Sequence, residues 1–75
     1  MKNYSVSVWS GCLLWKHPKT FTSRKVATVA GFEFAETRDE PTMMFVRRLS
    51  ESGEEIGRET WGMIHGVWTL VSRNI

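Results

Sequence analysis

The side chains that most often carry nucleophilic or metal chemistry are scarce in this 75-residue chain. Cys12 is the only cysteine, and His17 and His65 are the only histidines. No CxxC or HxxxH spacing joins them, so a metal site would require three isolated residues to converge. A Cys–His pair would also need a third, orienting group, and the chain has no Gly-x-Ser-x-Gly elbow. We therefore expect no metal, no cofactor and no nucleophilic centre.

Six of the eight carboxylates are clustered in two groups, one at residues 36–40 and one at residues 51–55. Both groups fall in apparent turns, where solvated charge is the ordinary explanation and a raised pKa is not expected. No glycine-rich phosphate loop is present, because Gly62 and Gly66 lack the required lysine and the strand-to-helix context. The sequence thus predicts a binding protein and not an enzyme.

The segment WKHPKTFTSRK, residues 15–25, combines basic and aromatic side chains and contains no acid. Basic side chains displace counterions from phosphates, and an aromatic ring can stack on an unpaired base. Residues 1–25 hold five basic residues and no acid, whereas residues 26–75 hold five arginines and eight acids. The predicted binding residues are Trp15, Lys16, Lys19, Arg24 and Lys25, with Arg47, Arg48 and Trp61 as possible extensions of the patch.

This segment favours a non-catalytic macromolecule-binding module whose target is nucleic acid or a nucleoprotein complex. Charge reversal at Lys19, Arg24 and Lys25 is expected to abolish binding without unfolding the protein. In a strand, Arg47 and Arg48 would point to opposite faces, and Arg48 could pair with Glu54 or Glu55 across a hairpin.

The alternative is a small inhibitor or adaptor, of the kind found in phages and mobile elements, that binds and blocks a protein partner. Its support is the small size of the chain, and under it the acidic turns could meet a basic groove on the target. A homodimer joined through exposed strand edges is a third possibility. Phosphate contacts predict a steep loss of affinity with salt, which a hydrophobic protein interface would not show.

The first elements that must position these residues are two short strands. Residues 3–9 alternate, with Tyr4, Val6 and Val8 on one face and Ser5 and Ser7 on the other, which is typical of a half-buried strand. Residues 12–15 form a short apolar run that ends before Pro18. The two segments are predicted to form a hairpin around Ser10-Gly11.

Residues 24–35 allow two interpretations. A helix near residues 23–31 would have Ser23 as its N-cap and Gly31 just past its end. Against it, several residues are β-branched, and the apolar positions share one parity, as in a long strand. The sequence favours the strand, with Gly31 at a bulge or bend.

The C-terminal half predicts a three-stranded antiparallel meander. Residues 42–49 and 55–61 would pair through a hairpin loop at residues 51–54, and Gly62 and Gly66 would bracket a shorter turn before residues 67–71. A helix over residues 60–72 is the alternative, but two internal glycines would each cost about 1 kcal/mol. Trp68 is predicted to lie in the core.

Taken together, these patterns predict a single small globular domain, residues 1–75. It is mainly β, an antiparallel sheet of five to six short strands curled towards a barrel. The alternative is an α+β fold with one short helix. A single cysteine, no secretion signal and no long apolar run favour a cytoplasmic chain without a membrane partner.

Overall fold

The computed structural model describes residues 3–75, so Lys2, one of the basic residues of the N-terminal block, lies outside the described part. Within residues 3–75, five strands and one helix follow one another: β1 Asn3–Ser10, β2 Leu13–Lys16, α1 Arg24–Glu36, β3 Pro41–Leu49, β4 Glu55–Ile64 and β5 Val67–Asn74. The strands form one sheet in the order β2-β1-β3-β4-β5, and every neighbouring pair is antiparallel. The predicted mainly-β antiparallel sheet is confirmed, as is the meander of β3, β4 and β5.

Residues 24–36 form a helix, so the preference for a strand there was wrong. Ser23 is the N-cap, and its side chain accepts a hydrogen bond from the Val26 N–H. The buried residues of the helix, Ala27, Thr28, Gly31 and Ala35, recur at helical spacing and form its contact face. Gly31 lies inside the helix and not at its end, because its missing side chain leaves room for Met44 and Val6 of the sheet.

The sheet is not closed into a barrel. Helix α1 packs across β1 and β3 and covers one face of the sheet. Its small residues complete a core with Tyr4, Val6 and Val8 of β1 and Met44 and Val46 of β3. The apolar residues of this face, here called the covered face, are therefore buried by a helix, and the sheet does not have to close on itself.

Tight turns connect the paired strands. The predicted hairpin between β1 and β2 is confirmed, since Ser10 pairs with Leu13 across Gly11-Cys12. His65 and Gly66 join β4 to β5, and both have positive φ, 51° and 77°, as a two-residue type I′ turn requires. A hairpin, and not a C-terminal helix, thus spans residues 60–72, and Gly62 lies within β4.

Candidate functional site

The predicted basic and aromatic residues are spread over three surfaces of the protein. Lys16 and Arg47 lie on the sheet face that α1 leaves uncovered, here called the open face. Lys19 and Lys25 are exposed in the loop before α1 and on α1 itself. Four others belong to the covered face or to the start of the helix: Trp15, Arg24, Arg48 and Trp61.

Arg24 and Trp61 are engaged in a buried polar cluster centred on Glu59, a residue that sequence analysis did not single out. The Glu59 side chain is 0% exposed, yet both of its oxygens are satisfied. Oε2 accepts from Arg24 Nη1 at 3.0 Å and from Arg73 Nε at 2.6 Å. Oε1 accepts from Trp61 Nε1 at 2.6 Å and lies 3.1 Å from Thr28 Oγ1. The cluster therefore joins the first turns of α1 to β4 and β5.

The ionised form of Glu59 is favoured in spite of its burial. Burial alone would raise the pKa of this carboxyl, because a desolvated charge is costly. Hydrogen bonds from Trp61, Arg73 and Thr28, together with the positive charge of Arg73, outweigh that effect and hold the pKa below its ordinary value. Glu59 is consequently ionised at neutral pH and binds two arginines.

This arrangement changes the predicted mutational test. Reversing the charge of Arg24 would place a second carboxylate against buried Glu59, so the substitution would damage the fold as well as any binding surface. Lys19 and Lys25 are exposed and remain suitable positions for charge reversal.

Trp15 lies at the edge strand β2, on the covered-face side of the sheet, where it is opposite Val8. The Arg38 guanidinium carbon lies 4.5 Å from the centre of the Trp15 ring and 5.1 Å from that of Phe34. One face of the indole is thus already covered by a cation. Trp15 is separated by the sheet from Lys16, its neighbour in the predicted patch.

Lys16 and Arg47 are the predicted residues that the fold brings together on the open face. They line a groove of about 330 Å³ on the open face, together with Ser5, Ser7 and the loop residues His17 and Thr20. Glu55 borders the same groove, and its Oε1 lies 3.2 Å from Arg47 Nε and 2.9 Å from Arg58 Nη2. It is therefore Arg47, and not Arg48, that pairs with a glutamate of the neighbouring strand.

The open face also carries a set of apolar side chains, at the end of the sheet away from Arg47 and Arg58. Leu14 of β2 pairs with Trp9 of β1, and Trp9 pairs in turn with Met43 of β3. Gly62 of β4 is opposite Met43, and the Val71 side chain lies over it, since a Cβ at Gly62 would be 3.2 Å from Val71 Cγ2. The β5 residue paired with Gly62 is Thr69, and Val71 reaches the same surface through its side chain. Leu14, Trp9, Met43 and Val71 form what we call the apolar row, which extends from the β2 edge to the β5 edge.

The apolar row is accessible. Leu14 and Val71 are exposed, and Trp9 and Met43 are half-buried. Ile64 and Val67, paired at the end of the β4–β5 hairpin, extend the row and are also exposed. An apolar surface that spans five strands without a covering element marks an interaction site more often than a scattered exposed residue does.

Sequence reasoning missed the apolar row, although a signal for it was present. Trp9 shares the parity of Ser5 and Ser7, so the face with the serines had to carry a tryptophan. The two serines suggested that this face is in contact with water. The alternation in residues 3–9 was therefore used only to identify the buried face of β1. Met43 and Val71 could not be assigned to the same surface before the strand order and register were known.

Within residues 3–75, no group of three or more His, Cys, Asp and Glu side chains is arranged to hold a metal ion. In the same part of the chain, α1 is too short to cross a membrane. Cys12 is exposed at the β1–β2 turn.

Comparison of the chain with protein-family models, with curated sequences and with solved structures gives no match.

Proposed function

We propose that this protein is a non-catalytic adaptor or inhibitor that binds a protein partner through the open face of its sheet. The observation that carries the proposal is the apolar row. Helix α1 already covers the other face, and the core is complete without Leu14, Trp9 and Met43. Leaving such side chains in water has no benefit for the fold, whereas covering them contributes about 25 cal/mol for each Å² of apolar surface buried.

The charges around the apolar row indicate the chemistry of the partner. Arg47 and Arg58 lie at one end of the open face, with their guanidinium carbons 5.9 Å and 5.0 Å from the Phe45 ring centre. Glu55 is the carboxylate that pairs with both arginines, and Lys16 adds a further positive charge. The open face thus has an apolar end and a basic end, and it complements a protein surface in which an apolar area lies next to acidic groups.

Two variants at exposed apolar positions test this proposal. The immobilised chain is used to capture proteins from a lysate, and each captured protein is purified and titrated against variants. Leu14→Lys places a charge in the apolar row, and Val26→Lys places the same charge on the exposed side of α1. We expect a partner that binds the native chain and Val26→Lys but binds Leu14→Lys at least tenfold more weakly, a loss of about 1.4 kcal/mol. Equal binding to both variants, or no captured protein, would contradict the proposal.

Nucleic acid is a second candidate partner, and the groove between Lys16 and Arg47 is the observation that favours it. Two cations, two serine hydroxyls and His17 face one depression of the open face. Phe45 and Trp9 share that face, so a strand following the groove would pass close to aromatic rings.

Tryptophan fluorescence during titration with single-stranded DNA, duplex DNA and RNA tests this candidate. Binding through phosphates should weaken steeply with salt, and Lys16→Glu should abolish it while Lys25→Glu leaves it in place. Absence of any response to the three nucleic acids would eliminate the second candidate. Persistence of the protein complex at high salt would separate the two candidates.

A further inference from the structure

The two edges of the sheet differ in how well they are protected. Strand β2 has four residues, ends at Lys16 and is followed closely by Pro18. Short length, a lysine and a proline are devices that block further strand pairing. Strand β5 has eight residues, and from Val67 to Ser72 it contains neither a charge nor a proline. The β5 edge has a β-bulge at Val71, since Trp61 pairs with Leu70 and Thr60 with Ser72. It otherwise lacks the devices that protect β2.

We propose that β5 pairs with β5 of a second copy of this chain, antiparallel and with the two-fold axis at Thr69. The segment Val67–Val71, VWTLV, has the same chemical character in both directions from Thr69. In this register Val67 lies opposite Val71 of the second copy, and Trp68 lies opposite its Leu70. Cross-strand partners must share a sheet face, and both pairs meet that condition.

The register covers side chains that the single chain leaves in water. Val67 and Val71 are 63% and 56% exposed and belong to the open face, whereas Leu70 and Trp68 border the covered face. Each exposed valine would contact a valine of the other copy, and each Leu70 would contact a tryptophan. Apolar side chains of the two copies would thus be in contact on both faces of the joined sheet.

Charge does not oppose this pairing. Arg73, the charged residue within β5, is held on Glu59 by its Nε–Oε2 contact of 2.6 Å. In the proposed register Arg73 lies opposite His65 of the second copy, in the turn beyond the paired segment. A neutral strand that reads alike in both directions fits a second copy of itself better than it fits an extended segment of arbitrary sequence.

A two-fold axis perpendicular to the sheet places both open faces on the same side. The dimer would then have one ten-stranded sheet with a helix pair on one side and a continuous open face on the other. Pairing through β5 requires no partner protein, so the purified chain should dimerise by itself.

Sedimentation velocity of the purified chain over a wide range of concentration tests the inference. We expect a dimer at high concentration that dissociates on dilution. Val67→Lys combined with Val71→Lys should remain a monomer throughout. The control, Val26→Lys combined with Val29→Lys, changes two valines of similar exposure, 56% and 54%, and should dimerise like the native chain. Circular dichroism of each variant verifies that it is folded.

A cysteine placed on the axis tests the register itself. In a Cys12→Ser background, Thr69→Cys should form an intermolecular disulfide under mild oxidation, because residues on the axis meet at a distance a disulfide can span. Val26→Cys in the same background should not. A native chain that stays monomeric, a dimer that survives the double lysine variant, or failure of Thr69→Cys to cross-link would each overturn the proposal.

Discussion

The two faces of the sheet differ in which side chains they bury and which they expose. On the covered face, the fully buried Glu59 carboxylate is surrounded by arginine, tryptophan and threonine donors. On the open face, the apolar row remains in contact with water although no polar group requires it there. The covered face thus contains the charge that the fold depends on, and the open face contains the apolar surface that the fold does not use.

This difference separates residues that build the structure from residues available for binding. A buried carboxylate is costly unless its partners are all in place, so the Glu59 cluster constrains the position of α1 on the sheet. Side chains of the apolar row have no comparable partners, and their replacement leaves no buried group unsatisfied. Stability measurements should therefore respond strongly on one face and weakly on the other.

The largest effect is expected for Glu59→Ala. The substitution leaves two arginines, an indole N–H and a threonine hydroxyl without their shared acceptor. Breaking a buried ion pair in this way costs about 3–5 kcal/mol of unfolding free energy, a large share of the stability of so small a domain. Urea denaturation followed by tryptophan fluorescence measures the loss.

Glu55→Ala is the matched control, since Glu55 also pairs with two arginines but is exposed. Exposed ion pairs contribute about 0–1 kcal/mol, so this variant should stay close to the native chain. Equal losses for the two variants would show that burial of Glu59 has no special importance.

Acid should weaken the covered face through the same carboxylate. The folded-state pKa of Glu59 lies below its unfolded value of about 4.3, so the folded state binds this proton less readily. The contribution of Glu59 is present above the unfolded pKa and is lost as pH falls through the lower folded pKa. The free energy of unfolding of the native chain should therefore fall in this acidic range more steeply than that of Glu59→Gln. Parallel pH profiles would contradict the assignment of a lowered pKa to Glu59.

A smaller effect is expected for Gly31→Ala. Alanine normally gains about 1 kcal/mol over glycine inside a helix. Here its Cβ would collide with Met44 Sδ and approach Val6 Cγ1 at 3.1 Å, and crowding of this kind costs about 1–3 kcal/mol. We expect a net loss of about 1 kcal/mol, measured by thermal or urea unfolding. In a Met44→Ala background the cost should disappear, and a cost that persists would point to a different cause.

The helix shows where sequence reasoning fails for this fold. Short-range signals identified β1, the β1–β2 hairpin and the meander, because alternation and turn residues act locally. At residues 24–36 the β-branched residues and Gly31 argued against a helix, but close packing of its small residues on Val6 and Met44 decided the outcome. That contact joins positions distant in sequence, so local propensity could not reveal it.

The prediction of the binding patch failed for the same reason, because contacts between positions distant in sequence decided where its residues lie. The residue types were chosen for their charge and aromatic character, but charge in sequence does not state which partner a side chain has. Arg24 lies within the basic segment and yet neutralises Glu59, 35 positions away. Lys16 and Arg47, distant in sequence, come together only because β1 lies between β2 and β3.

The smallest stability effect is expected for Leu14→Lys on the open face. Leu14 is exposed on the short edge strand β2, so a lysine there removes little buried surface and leaves no polar group unpaired. The unfolding free energy should change by no more than about 0.5 kcal/mol, the ordinary range for surface positions. A loss as large as that of Glu59→Ala would mean that the apolar row supports the fold, which would remove the reason for assigning it to a partner. If Leu14→Lys leaves the unfolding free energy unchanged but weakens partner binding, the covered face stabilises the fold and the open face binds the partner.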